Sequence, residues 1–397
     1  MQTRPSQPIE SSDLEHFLQV PGPTFVPERI LAAMHRQMLD HRGPEFQTLT
    51  REVLDGLPEI FRSTDPVILF PSSGTGGWEA ALVNTLSPGD AVLFLVAGHF
   101  SMLWSRMAAE FGLDVRVLES NWHRGADAAE LEVYLRSDAD RKIKAVCVVH
   151  NETSTGAMTQ IGDIRAAIDA TGHPALLLVD AVSSIGAMDY RHQEWNVDVT
   201  ISGSQKGLML PPGLSFNVVS EKALEAAKSA KLPKSYWAWR SMLAHNADGY
   251  FPFTPPISLI YGLAESMIML NEWGLENVFA RHKRHAEAVR RCIAYWDLGI
   301  WCKVPRDYSP VVTAVVMPSG HDADAFRKLA RERFNISLGM GQQKLAGKAF
   351  RFGHLGYTND NLILAGLEAV ESALEHARIP HRPGGVDVAY LFLNRRR

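Results

Sequence analysis

The chain has 397 residues, 46% hydrophobic and 21% charged, and its 40 Lys+Arg against 44 Asp+Glu leave a formal charge of −4. That composition supplies a sizeable core and excludes a wholly disordered chain, while the near-balanced charge lacks the basic excess that nucleic-acid binding draws on. No stretch reaches the roughly 18 uninterrupted apolar residues of a membrane span, the N-terminus lacks the apolar run of a signal peptide, and three scattered cysteines (Cys147, Cys292, Cys302) make neither a disulfide framework nor a zinc site, so a cytoplasmic chain without metal is expected.

In chain order, PVILF (66–70) predicts a strand, followed by a glycine-rich turn and a helix that starts near Trp78. AVLFLV (91–96), DVRVL (114–118), AVCVVH (145–150), ALLLVD (175–180) and DVTISG (198–203) predict further strands, continuous and β-branched like strands buried on both faces. Between them, SMLWSRMAAEFG and IGDIRAAIDATG carry helical spacing and end in Gly, which argues for an α/β architecture with a mainly parallel sheet. Residues 252–296 read as a proline-rich loop and two helices; His282 and His285, among Arg and Lys, predict a solvated face rather than a metal site. SPVVTAVVMP (309–318), a helix near DADAFRKLARERF and KAFRFGHLG (348–356) suggest a smaller α+β C-terminal unit. The expected organisation is an N-terminal arm (1–24), a large domain (25–275) and a small domain (276–397) that ends in a solvated Arg tail.

Three places invite chemistry. Ser72-Ser73-Gly74-Thr75-Gly76-Gly77 lies between a strand and a helix, where backbone N–H groups and the helix dipole hold phosphate, although it matches neither the P-loop nor the dinucleotide fingerprint. Asp180 closes the strand ALLLVD at the edge where open parallel sheets bind ligands. Lys206 follows the strand DVTISG among small residues, and a partly dehydrated lysine there can attack a carbonyl to form a Schiff base. Each has an ordinary reading on its own: a capped βα turn, a loop acid, a surface lysine. Together, an anion cradle, an acid and an amine at successive strand ends form the set that pyridoxal phosphate needs.

The residues that carry this set, with PGPTFVPERIL (21–31), DHRGPEF (40–46), HNETSTG (150–156), FTPPISLIYGL (253–263), GLENVFARH (274–282) and FRFGHLG (350–356), resemble the class V pyridoxal-phosphate aminotransferases, and among them the serine–glyoxylate and alanine–glyoxylate enzymes. The resemblance spans nearly the whole chain. It implies fold type I, with a large domain built on a mainly parallel sheet and a smaller α+β domain. It implies that Lys206 binds the cofactor, pyridoxal 5'-phosphate, and moves the substrate proton, that Asp180 faces the pyridine nitrogen, and that Phe100 and Val182 cover the ring faces. Thr153 falls near the phenolic oxygen, Gly74, Thr75, Gly76 and Gln205 at the phosphate, and Thr254 at the position by which a neighbouring subunit completes that site in a homodimer. Arg351 matches the fork for the substrate α-carboxylate. One departure is Phe251-Pro252-Phe253-Thr254, where relatives commonly carry a Tyr; the missing hydroxyl corresponds to about 1.5–3 kcal/mol of hydrogen bonding to a charged acceptor unless Tyr250 replaces it. The implied reaction is ping-pong transamination from an amino acid, serine foremost with aspartate and alanine open, to glyoxylate. His41, Arg42 and Arg240 have either a structural or a substrate role, and Trp237 and Trp239 read as packing. Rival readings are a class V lyase that uses a mobile cysteine and a scaffold that keeps the fold without its chemistry.

Overall fold

The computed structural model describes residues 17–395, so residues 1–16 of the expected arm and the last two arginines of the expected tail lie outside it. A seven-stranded sheet runs in the spatial order Val67–Ser72, Gly213–Val219, Val199–Gly203, Leu176–Asp180, Ile143–Val149, Ala91–Val96, Asp114–Glu119. Only Gly213–Val219 runs against its neighbours. The apolar runs form the strands because helices cover both faces: Phe70, Phe94, Val146, Leu178 and Ile201 are all fully or almost fully buried. The expectation of a doubly buried strand fails at Asp114–Glu119. It pairs only with Ala91–Val96, and as the last strand of the sheet it leaves Val117 47% exposed.

Register sets the site. Asp180 lies opposite Val149 on one side and Ile201 on the other, so the carboxyl ends of the three central strands finish level at one edge. At that same edge the chain leaves Val199–Gly203 and reaches Lys206 three residues later.

A second sheet has the order Phe17–Gln19, Ile336–Met340, Ala349–Gly353, Val312–Val316, Gly299–Ile300. Phe350, Phe352, Leu367 and Leu374 form its own apolar core, together with Val289 and Ile293 of the helix Leu275–Tyr295. Phe17–Gln19 pairs in parallel with Ile336–Met340, a strand that the sequence reading did not anticipate; it follows the left-handed Asn335 (φ 53°) that ends the helix Ala323–Phe334. His282 and His285 overturn the expected solvated face. With Val278, Val289 and Cys292 they recur at the three- and four-residue spacing of one helix face, and that face is the buried one. His282 Nδ1 meets the Val278 carbonyl at 2.8 Å and its Nε2 accepts the Gly356 N–H at 3.1 Å, while His285 Nε2 lies 2.9 Å from Asp360 Oδ1. Burial pushes both imidazoles down, to about 3 and about 4. Among the described residues no helix is long and apolar enough to cross a membrane, and no cluster of His, Cys, Asp and Glu is placed to hold a metal ion.

Candidate active site

At the level strand edge a cavity of about 110 Å³ collects residues from five segments. Ser73, Gly74 and Thr75 line it from the helix Gly74–Thr85, and Phe100 from the start of the helix His99–Glu110. Asn151 and Thr153 line it from the HNETSTG segment, Asp180, Val182 and Ser183 from the end of their strand, and Gln205 and Lys206 from the loop after theirs.

The helix begins at Gly74, four residues before Trp78, where the sequence had placed its start. The glycine turn is therefore the first helical turn, with its N–H groups open at the cavity edge. Ser73, the N-cap residue, makes no side-chain cap, so those donors remain for a ligand; a bound anion there gains about 0.3–2 kcal/mol from the helix terminus. A Cβ at Gly74 would meet Val182 Cγ2 at 2.5 Å, and that close approach requires glycine. Gly76 does not line the cavity; a Cβ there would meet Ser72 Oγ and Trp237, so packing fixes this glycine and leaves only its backbone to the turn. The Gln205 Oε1 is buried without a hydrogen-bond partner.

Asp180 is 5% exposed. Its Oδ1 accepts the Val182 N–H at 2.7 Å and its Oδ2 accepts the Trp78 indole N–H at 2.9 Å. Burial dominates nonetheless: it raises the carboxyl to about 7, Glu152 adds to the rise, and the Val182 and Trp78 donors and Lys206 work against it. Two neutral donors do not replace a counter-ion, and a protonated ring nitrogen would supply one.

Lys206 donates from Nζ to the Pro21 carbonyl at 2.9 Å. Burial, and secondarily Arg351, lower this amine to about 8 against the pull of Asp180. The N-terminal Pro21-Gly22-Pro23-Thr24 segment roofs the lysine. Thr24 Oγ1 donates to the Lys206 carbonyl at 3.2 Å, the Thr24 N–H donates to the Gln205 carbonyl at 3.2 Å, and a Cβ at Gly22 (φ +107°) would lie 2.5 Å from Nζ. The sequence offered the PGPT run only as part of a resemblance; its proximity to a lysine 185 residues away has no local signal.

Arg351 is 7% exposed and sits beyond the lining itself. Its Nε donates to the Met340 carbonyl at 2.8 Å and its Nη1 to the Thr153 carbonyl at 3.0 Å, which fixes the guanidinium plane. Burial lowers it to about 10, partly offset by Glu152. That buried Glu152 was missed by sequence reasoning. It accepts hydrogen bonds from the Phe100 and Ser101 N–H groups at the start of the helix that carries Phe100, and from the Ser154 hydroxyl at 2.6 Å. Trp78 was read only as a helix start, and nothing in a single sequence ties its indole to Asp180.

The structure does not bring Thr254 to this cavity: within one chain it is exposed. Arg42 and Arg240 are exposed as well, whereas Trp239 is buried, with its indole donating to Asn217. The three cysteines are buried, and burial raises every thiol, Cys302 to about 11, so none is poised as a thiolate. The cavity therefore fits pyridoxal phosphate: open helix donors and a free amide oxygen at one side, a buried acid lacking its cation, and an amine with a lowered pKa.

Comparison with known proteins agrees with this geometry. The family model described as Aminotransferase class-V matches residues 21–351. The serine–glyoxylate aminotransferase of Methylorubrum extorquens is 47% identical over 95% of this chain and 96% of its own length. The L-aspartate–glyoxylate aminotransferase of Paracoccus denitrificans is 43% identical over 92% of both. The crystal structure of pyridoxamine–pyruvate aminotransferase from Mesorhizobium loti superposes with a TM-score of 0.90 at 29% identity, covering 96% of this chain and 98% of that one.

Proposed function

Because the chain belongs to the class V aminotransferases, enzymes of fold type I that use pyridoxal phosphate, we propose that it transfers the amino group of serine to glyoxylate, giving glycine and a 2-keto acid, in two half-reactions at one site. The observation that carries this reading is the meeting of Lys206 and Asp180 in one small cavity beside an open helix N-terminus.

Bound pyridoxal phosphate supplies an aldehyde for amines and an electron sink for the Cα of the amino acid. Gly74, Thr75 and Gly76 hold its phosphate through backbone N–H groups, with Gln205 beside them. Asp180 keeps a proton on the ring nitrogen, and the Trp78 and Val182 donors fix the plane of that carboxylate. Phe100, Val182 and Thr153 line the same cavity, where the first two would exclude water from the ring faces and Thr153 would stand by the phenolic oxygen. Lys206 holds the cofactor; then, with an amine near pKa 8 that is partly unprotonated at neutral pH, it removes the proton from the donor Cα. Arg351 holds the α-carboxylate of donor and acceptor alike, its plane set by two carbonyls.

Serine is favoured over aspartate because the serine–glyoxylate relative is the more similar of the two to this chain, at 47% identity against 43% for the L-aspartate–glyoxylate relative. A homodimer completes the reading. The exposed Thr254 is available to a neighbouring phosphate site, and exposed Leu31, Met38 and Ile268 on the helices Glu28–Met34 and Ile257–Trp273 and the loop between the first of these and the next helix offer an apolar face. The division near residue 275 is supported by the separate core of the C-terminal sheet. The test is direct: the purified protein is incubated with glyoxylate and each common amino acid, and glycine is measured. Serine should give the fastest rate, and no glycine from any donor would overturn the reading.

A further inference from the structure

A second and larger cavity, of about 400 Å³, lies behind the wall of the candidate active site. The extended segment 149–151 alternates its side chains through that wall: Val149 and Asn151 face the candidate active site, and His150 faces the rear cavity. His150 is 2% exposed, with its Nδ1 held 2.8 Å from the Ser184 hydroxyl, and its Nε2 has no hydrogen bond among the described residues. Burial holds this imidazole near 3, so it is neutral at physiological pH.

The charges that line the cavity are unequal in what they leave free. Asp163 is paired with Arg306 at 2.6 Å, and Asp189 with Arg62 at 2.8 Å and Arg191 at 2.9 Å; all three arginines stand outside the lining. Both acids are thereby neutralised from behind. Of the lining cations, Arg290 is shared with Glu287 at 3.2 Å and lies over the Tyr308 ring at 5.2 Å, whereas Lys283 has no ion pair among the described residues. The ten-residue helix Ile161–Ala170 opens on the same space with Gln160, Ile161 and Gly162, and no side chain caps its first N–H groups. An exposed ammonium with no ion pair among the described residues, whose charge also reaches Asp189, an uncapped helix N-terminus and a buried imidazole with one nitrogen unused thus face one half-open volume, with the Trp195 and Tyr308 rings among its walls.

We propose that this rear cavity binds a small organic carboxylate, its charge set between Lys283 and the helix terminus and its carbon skeleton between the two rings. The site is separate from the one that handles amino and keto acids, and it touches that one only through the shared wall.

The test is calorimetric titration of the pyridoxal-phosphate-loaded protein with malonate. Two sites per chain are expected, and Arg351→Ala should remove one of them, which reports on the proposed active site alone. Lys283→Glu, at an exposed position, should weaken the other by about tenfold or more. Met158→Trp, which fills the cavity without changing charge, should do the same. A single site in the unsubstituted protein, or a second site that survives either Lys283→Glu or Met158→Trp in a chain with unchanged melting, would overturn the proposal.

Discussion

Replacing Asp180 by Asn separates the two tasks that the structure gives this residue. The carboxylate accepts two N–H groups at once, from Trp78 at 2.9 Å and from Val182 at 2.7 Å, in a site that is 5% exposed. An amide has one carbonyl oxygen, so its NH₂ must face one of these donors and leave a buried pair unsatisfied, a cost of about 1–3 kcal/mol in stability. The larger effect falls on turnover. Loss of the anion opposite the ring nitrogen removes a preorganised electrostatic interaction in a water-poor site, of about 3–4 kcal/mol and hence about 10²–10³ in kcat. The assay is glycine formation from saturating serine and glyoxylate by cofactor-loaded protein, with urea unfolding in parallel. Turnover within a few-fold of the unsubstituted enzyme at full cofactor occupancy would refute the role of Asp180, and an unchanged urea midpoint would refute the hydrogen-bond accounting.

Lys206→Ala should abolish the visible absorbance of the lysine-bound cofactor and steady-state turnover together; a spectrum unchanged from the parent would mean that another amine holds the aldehyde. Arg351→Ala should lower kcat/KM by about 10–100-fold for every α-carboxylate, mainly through KM, because a charged hydrogen-bonding fork is lost, and equal KM values would point to a different anchor. Acid should unfold the protein early. His150, His282 and His285 are held near 3, 3 and 4, below the ordinary 6.5, so below pH 6.5 the unfolded chain binds protons that the native state refuses. Each such group removes about 1.4 kcal/mol per pH unit as pH falls, and in cofactor-free protein Asp180, raised to about 7, opposes one of the three between about pH 7 and 4. Burial lowers His354 in the same sense, so the net expectation is a stability that falls steadily as pH drops below 6.5. Urea midpoints from pH 7 to 5 would check it; a flat or rising profile would mean that these imidazoles are charged in the native state.

The sequence by itself determined the layers and the edge of the sheet at which chemistry is placed. Continuous β-branched runs pack on both faces, so 91–96, 145–150 and 175–180 could be read as strands buried on both faces, and residues at or just past the ends of such strands, Asp180 and Lys206 among them, must emerge together at one edge. Periodicity was informative wherever a whole face decides the outcome, and it was misread at His282 and His285 because polarity was weighed above their shared spacing with Val278 and Val289. Only the tertiary structure decided which groups meet across long stretches of chain: Pro21 over Lys206, Trp78 against Asp180, the Thr153 and Met340 carbonyls that orient Arg351, and a cavity behind His150. The reason is physical. Local pattern reports how each segment partitions between water and apolar surroundings, whereas a hydrogen bond or a pKa depends on which particular atoms the packing of distant segments brings within a few ångströms.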